Sequence, residues 1–210
     1  MKNIKWIFFD IGSTLIDESV AYKSRIEKTI VNTDISFDVF YDKMIEFYRQ
    51  NKKGDKETVK HFGLTLAPWN SDDEVVYPEA EACLKTLSKK YKLGIIANQN
   101  FGSEERLEKF GLLKYINLVV ASAEEGVAKP DLRIFEIAIA RANCKPDEAV
   151  MVGDRLDNDI APANKIGMKT VWIKQGFGGL ATVQSNEEKS DIIINSLTEL
   201  TEYFQSEEPK

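Results

Sequence analysis

Short apolar runs recur along the chain, separated by stretches with helical spacing. IKWIFF at 4–9 is rich in aromatic and β-branched residues and is followed by a Gly-Ser-Thr turn, which predicts a strand ending at Asp10. From residue 78 the alternation becomes regular. PEAEACLKTLSKK (78–90) predicts a helix, LGIIA (93–97) a strand, 103–110 a short helix and NLVVA (117–121) another strand. Pro130, whose fixed φ suits the first helical position, is expected to open a helix running to about 143. AVMVG (149–153), TVWI (170–173) and DIIIN (191–195) predict further strands, with a helix over 158–166 ended by Gly167. Strands separated by single helices imply a parallel sheet covered on both faces, a doubly wound, Rossmann-like α/β core.

Between the first strand and residue 78 the rhythm changes. Phe37, Phe40, Met44, Ile45 and Phe47 fall at helical spacing among Glu, Lys and Tyr, which predicts an all-helical insert closed near Pro68 to Asp73. The expected division is a core of residues 1–17 and 76–210 with a helical cap of residues 18–75. No internal repeat interrupts this scheme.

Composition narrows the chemistry. With 210 residues, 43% apolar and 30% charged, the chain is long and apolar enough for a substantial core. The net charge is −6 and the basic residues are dispersed, so no nucleic-acid partner is expected. No run approaches the length of a membrane span, and a cytoplasmic location is expected. Cys83 and Cys144 lack CxxC spacing, which argues against a disulfide framework or a thiolate zinc site. His61, the single histidine, lies in the insert and reads as structural. A metal here should therefore be a hard cation held by oxygen, such as Mg²⁺. No coiled-coil heptads appear, which leaves monomer and homodimer both open.

In such a sheet, ligands bind beyond the carboxyl ends of the strands. The polar residues found there are Asp10, Asn98, Lys129 and Asp154. Their segments, FFDIGSTL, LGIIANQN, VAKPDLRIF and VMVGDRLDNDIAPANKIGM, resemble in order the four motifs of the haloacid dehalogenase-like hydrolases. The resemblance runs from residue 4 to about 175, and the insert resembles the family's small cap. It implies Mg²⁺ held by Asp10, the Gly12 carbonyl and Asp154, with Asp159 behind the metal or beside Lys129. It also implies a small phosphorylated substrate attacked by Asp10.

Elementary chemistry agrees with that implication. A carboxylate can attack phosphorus only if positive charge offsets its repulsion from the phosphate, which Lys129 and a divalent cation would supply. The N–H groups of the Gly12-Ser13-Thr14 turn, with Asn98, are expected to bind phosphate oxygens.

Two positions depart from the family pattern. Gly12 stands where its phosphatases usually carry a second Asp for proton transfer, and Ala97 where a Ser or Thr contacts phosphate. Losing a positioned acid or base slows turnover by about 10²- to 10⁴-fold. Asp17 and Glu18, where the chain leaves the turn, are candidate replacements, and Asp17 is the one put forward here. Alternatives are a degenerate member that binds a phosphorylated ligand without turnover, and a dehalogenase- or phosphonatase-type hydrolase. The retained GDRLDND string argues against metal-free carbon–halogen chemistry, and no cap lysine can be assigned to phosphonate cleavage. Asp157 is expected to face solvent, and KQGFGGL (174–180) reads as a flexible loop.

Overall fold

The computed structural model describes residues 1 and 3–206. Its parallel sheet consists of β1 (Trp6–Phe9), β4 (Lys92–Ala97), β5 (Leu118–Ala121), β6 (Ala149–Gly153), β7 (Lys169–Ile173) and β8 (Ile192–Ile194). The strand order is β5-β4-β1-β6-β7-β8. β1 thus sits at the centre, with Phe9 opposite Ile95 on one side and Val152 on the other. This register brings Asp10, Asn98 and Asp154 out at the same edge of the sheet.

Period-two alternation along β1 divides the core. Ile7 and Phe9 pack with α4 (Ala80–Leu87) and α9 (Leu197–Ser206) on one face. Phe8 packs on the other with α7 (Leu132–Ala142) and α8 (Ala161–Ile166). Both faces are buried, so the central strands read as continuous apolar runs. Two shorter helices, α5 (Ser103–Lys109) and α6 (Ser122–Glu125), complete the connections.

The insert leaves the core through a ribbon too short to register in a periodicity. Strand β2 (Ile16–Asp17) pairs antiparallel with β3 (Val75–Val76). Between them lie α1 (Ser19–Ile30), α2 (Phe37–Arg49) and α3 (Gly54–Phe62). These helices close on their own small core of Ile26, Phe40 and Met44. Ser36 caps α2 by accepting from the Val39 N–H, and Gly63 ends α3 at φ 67°.

Two local expectations need correcting. Pro130 does not open α7; Asp131 caps that helix by accepting from the Arg133 N–H, which places the proline before the cap. The helix expected over 158–166 begins instead as a π-helical turn, Leu156–Ile160, that feeds α8. Cys144 lies just beyond α7, outside any helix. Among the described residues no helix is long and apolar enough to cross a membrane.

Gly94 marks the tightest spot in the sheet: a Cβ there would lie 2.5 Å from the Phe8 ring and 3.4 Å from the Leu118 carbonyl oxygen. Gly94→Ala should cost about 1–3 kcal/mol by overpacking. The check is a lower denaturant midpoint at unchanged slope; an unaltered midpoint would show that the Phe8 ring moves freely.

Candidate active site

The four strand-end segments meet at one point. Asp10 follows β1, and its N–H donates to the Val152 carbonyl, tying the turn to β6. Lys129 approaches from the loop between α6 and α7. Asn98 fixes that loop twice: its side-chain N–H donates to the Lys129 carbonyl at 2.8 Å, and its Oδ1 accepts from the Lys129 N–H at 2.7 Å. The Lys129 ammonium then sits 2.8 Å from Asp10 Oδ1 and 2.5 Å from Asp159 Oδ1, and donates to the Ile96 carbonyl at 2.9 Å. Burial alone would lower the Lys129 pKa, but the two carboxylates more than offset it and hold the ammonium above its usual value.

Asp159 is wholly buried in the π turn, where its Oδ2 also accepts from the Arg155 N–H. Burial pushes its carboxyl up to about 6 despite Lys129. Asp154 follows β6, and its carbonyl oxygen accepts from the Trp172 indole N–H at 2.7 Å. Its carboxyl is driven well above the usual range by burial, then by Asp159 and Asp10. It pairs with no cation among the described residues.

One oxygen from each of Asp10, Asp154 and Asp159 lies within 4.8 Å of the others. Three carboxylates against a single ammonium leave excess negative charge in a buried place, which is costly unless compensated. An all-oxygen donor set of this kind suits a hard divalent cation.

Several residues named from sequence sit differently from expectation. The Ser13 and Thr14 N–H groups donate to the Ile16 and Ile11 carbonyls, so they close the turn instead of facing a phosphate. Asn98 spends its side chain on Lys129. Asp17 lies in β2 with Oδ1 accepting from the Ser19 N–H at 2.8 Å, and it does not line the cavity that Asp10 faces. Asp157, by contrast, faces solvent as expected and pairs with Arg155 at 2.6 Å.

Glu18, passed over in favour of Asp17, is the carboxylate brought to the site. It accepts from the Ser13 hydroxyl at 3.0 Å, and a Cβ built on Gly12 would lie 2.5 Å from its Oε1. The Glu18 carboxylate therefore occupies the space that a side chain at residue 12 would fill. Burial raises its pKa to about 7, with Asp10 and Glu74 adding to the shift and the Ser13 hydrogen bond opposing it. Glu18 shares with Asp10, Gly12, Lys129 and Asp154 the lining of a cavity of about 180 Å³. Arg155 faces the same cavity, a cation that its place directly after the strand-ending Asp154 could have signalled. Through Glu18, Asn98 and Gln99 this cavity adjoins a larger one of about 580 Å³, lined also by Trp69, Glu74 and Arg106. There the Arg106 guanidinium is neutralised by buried Glu74 at 2.6 Å and bonded to Gln99.

Comparison with known proteins agrees with this geometry. The model of the haloacid dehalogenase-like hydrolase family matches residues 7–173. The chain is 34% identical to a glyceraldehyde 3-phosphate phosphatase of Pyrococcus furiosus, over 99% of this chain and 95% of that one. It is 27% identical to a pyrimidine 5′-nucleotidase of Escherichia coli, over 90% and 97%. Among solved structures, a HAD phosphatase from Thermococcus onnurineus superposes with a TM-score of 0.65 at 26% identity, covering 96% of this chain and 98% of that one. The chain thus belongs to the haloacid dehalogenase-like hydrolases.

Proposed function

We propose that the protein is a Mg²⁺-dependent phosphatase of small phosphorylated metabolites, with Asp10 as nucleophile. The observation that carries this reading is the Lys129 ammonium held between Asp10 and Asp159, with Asp154 alongside. The phosphatase relatives support the reaction class, and their differing substrates leave the leaving group to this chain's own cavities.

The residues divide the work as follows. Lys129 takes Asp10 Oδ1, which orients the carboxylate and leaves its other oxygen to attack phosphorus. Asp10 and Asp154, with the Gly12 carbonyl, would hold the cation. When bound, it supplies positive charge against the phosphoryl oxygens. Asn98 keeps the Lys129 loop in register.

Glu18 takes the proton-transfer role that Gly12 lacks. Its carboxylate stands where a residue-12 side chain would, so it is placed to protonate the departing alkoxide. As carboxylate it would then deprotonate the water that hydrolyses the aspartyl phosphate. The leaving group would extend past Glu18 into the larger, polar cavity, whose one buried cation is already matched by Glu74. That charge balance suits an uncharged hydroxylated leaving group. The cluster of three carboxylates argues against the alternative of carbon–halogen hydrolysis, which needs no metal.

Four outcomes follow. Asp10→Asn should lower turnover of acetyl phosphate by about 10³-fold or more; retained activity would remove Asp10 as nucleophile. Glu18→Gln should slow hydrolysis of an alkyl phosphate about 10²- to 10⁴-fold while affecting acetyl phosphate, whose leaving group needs no acid, far less. Gly12→Asp alone collides with Glu18, so activity should return in the pair Gly12→Asp/Glu18→Ala and not in Gly12→Asp. Equal losses on both substrates for Glu18→Gln would contradict the proton role. Finally, Mg²⁺ at about 100 times its Kd should stabilise the native state by about 2.7 kcal/mol. Calorimetry should show that gain vanish in Asp154→Asn, and a gain that persists would place the cation elsewhere.

A further inference from the structure

The glycine-rich segment after β7 is not a free loop. Gly176, at φ 53°, passes so close to Ser13 that a Cβ on it would collide with the Ser13 hydroxyl. A Cβ on Gly178 would likewise collide with Asp154 Oδ2. The backbone on either side of residue 177 is therefore pressed against the turn after β1 and the carboxylate after β6. Only residues without a Cβ permit that approach.

The residue between these glycines reaches the other way. Phe177 enters the helical insert, stacked on Tyr48 at 4.8 Å between ring centroids and 9° between planes. It makes edge contacts to Tyr22 at 4.7 Å and Tyr41 at 5.8 Å. A second tether lies five residues on. The Asn51 side chain donates to the Thr182 carbonyl at 2.7 Å and accepts from the Thr182 N–H at 2.9 Å. Asn51 stands just past α2, so one core segment is fastened to the insert at two points and to the reaction centre at two others.

We infer that Phe177 is a positioning residue that couples the placement of the insert to that of Ser13 and Asp154. This rests on the phosphoryl-transfer reading above. Aromatic contacts are short-ranged and geometry-dependent, so the ring follows Tyr22 and Tyr48 as the insert settles. The two glycines leave the backbone no slack against Ser13 and Asp154. An anion seated at Asp10 should therefore quieten the insert, and an ordered insert should hold Ser13, the hydrogen-bond partner of Glu18, in place.

The test is hydrogen–deuterium exchange over α1–α3 in the full-length chain, with and without Mg²⁺ plus orthovanadate. Wild type and Phe177→Tyr should show about tenfold slower exchange when both are present, whereas Phe177→Leu should show little change. Phe40→Leu, which loosens the insert core behind the tether but keeps every ring that contacts Phe177, should retain the slowing. If Phe177→Leu does not fold, Asn51→Ala at the exposed second tether should weaken the slowing instead. Slowing in Phe177→Leu equal to wild type, or an equal loss in Phe40→Leu, overturns the coupling. So does wild-type binding with no slowing in the insert. Failure of wild type to bind Mg²⁺ and orthovanadate at all would defeat the phosphatase reading instead.

Discussion

A buried ammonium shared by two carboxylates organises this molecule. Charges removed from water must be matched closely or they destabilise the fold, and Lys129 is matched by Asp10 and Asp159 at hydrogen-bonding distance. That requirement explains the sheet order around it. β1 must lie between β4 and β6 so that Asp10 and Asp154 emerge side by side and Asn98 can grip the Lys129 backbone from the neighbouring strand end. Asp154 is left with a buried carboxylate facing two others, and that residual charge is the physical reason to expect a cation there.

The same local economy accounts for the unusual first turn. A residue with a side chain at position 12 would compete for space with Glu18, so Gly12 and Glu18 form a complementary pair, one vacating what the other fills. The reading of a degenerate, non-catalytic member drew its support from the missing carboxylate. The structure returns a carboxylate to that spot from six residues further along the chain, at the entrance to the insert. Under the proposed function the proton carrier is thus part of the connection between β2 and α1 that leads into the insert.

The fold was largely legible because its strands are buried on both faces and are bounded by polar strand ends. Asp10, Asn98 and Asp154 stand directly after β1, β4 and β6, and Lys129 in the loop that follows β5 and α6, so their convergence at one sheet edge was readable from the strand pattern. What was missed depends on single-residue geometry. Asp17 and Glu18 are adjacent, but Asp17 ends the two-residue β2 and Glu18 caps α1 with a backbone, φ −98° and ψ 6°, that has already left the strand. No composition or periodicity distinguishes which of them turns inward. The expected phosphate contacts from Ser13 and Thr14 failed because Ser13 adopts a left-handed conformation, φ 53°, and the turn uses both N–H groups itself. KQGFGGL read as flexible because glycine permits mobility, whereas here it permits close approach, and only the three-dimensional neighbours separate those two uses.

The account stands on covalent participation by Asp10. The most direct test is to mix the protein with Mg²⁺ and acetyl phosphate, reduce it with borohydride during turnover, and map the product by mass spectrometry. The account predicts conversion of Asp10 to homoserine, the reduction product of an aspartyl phosphate, at that position alone. Sustained turnover with residue 10 unmodified, or with the label on another carboxylate, would contradict it.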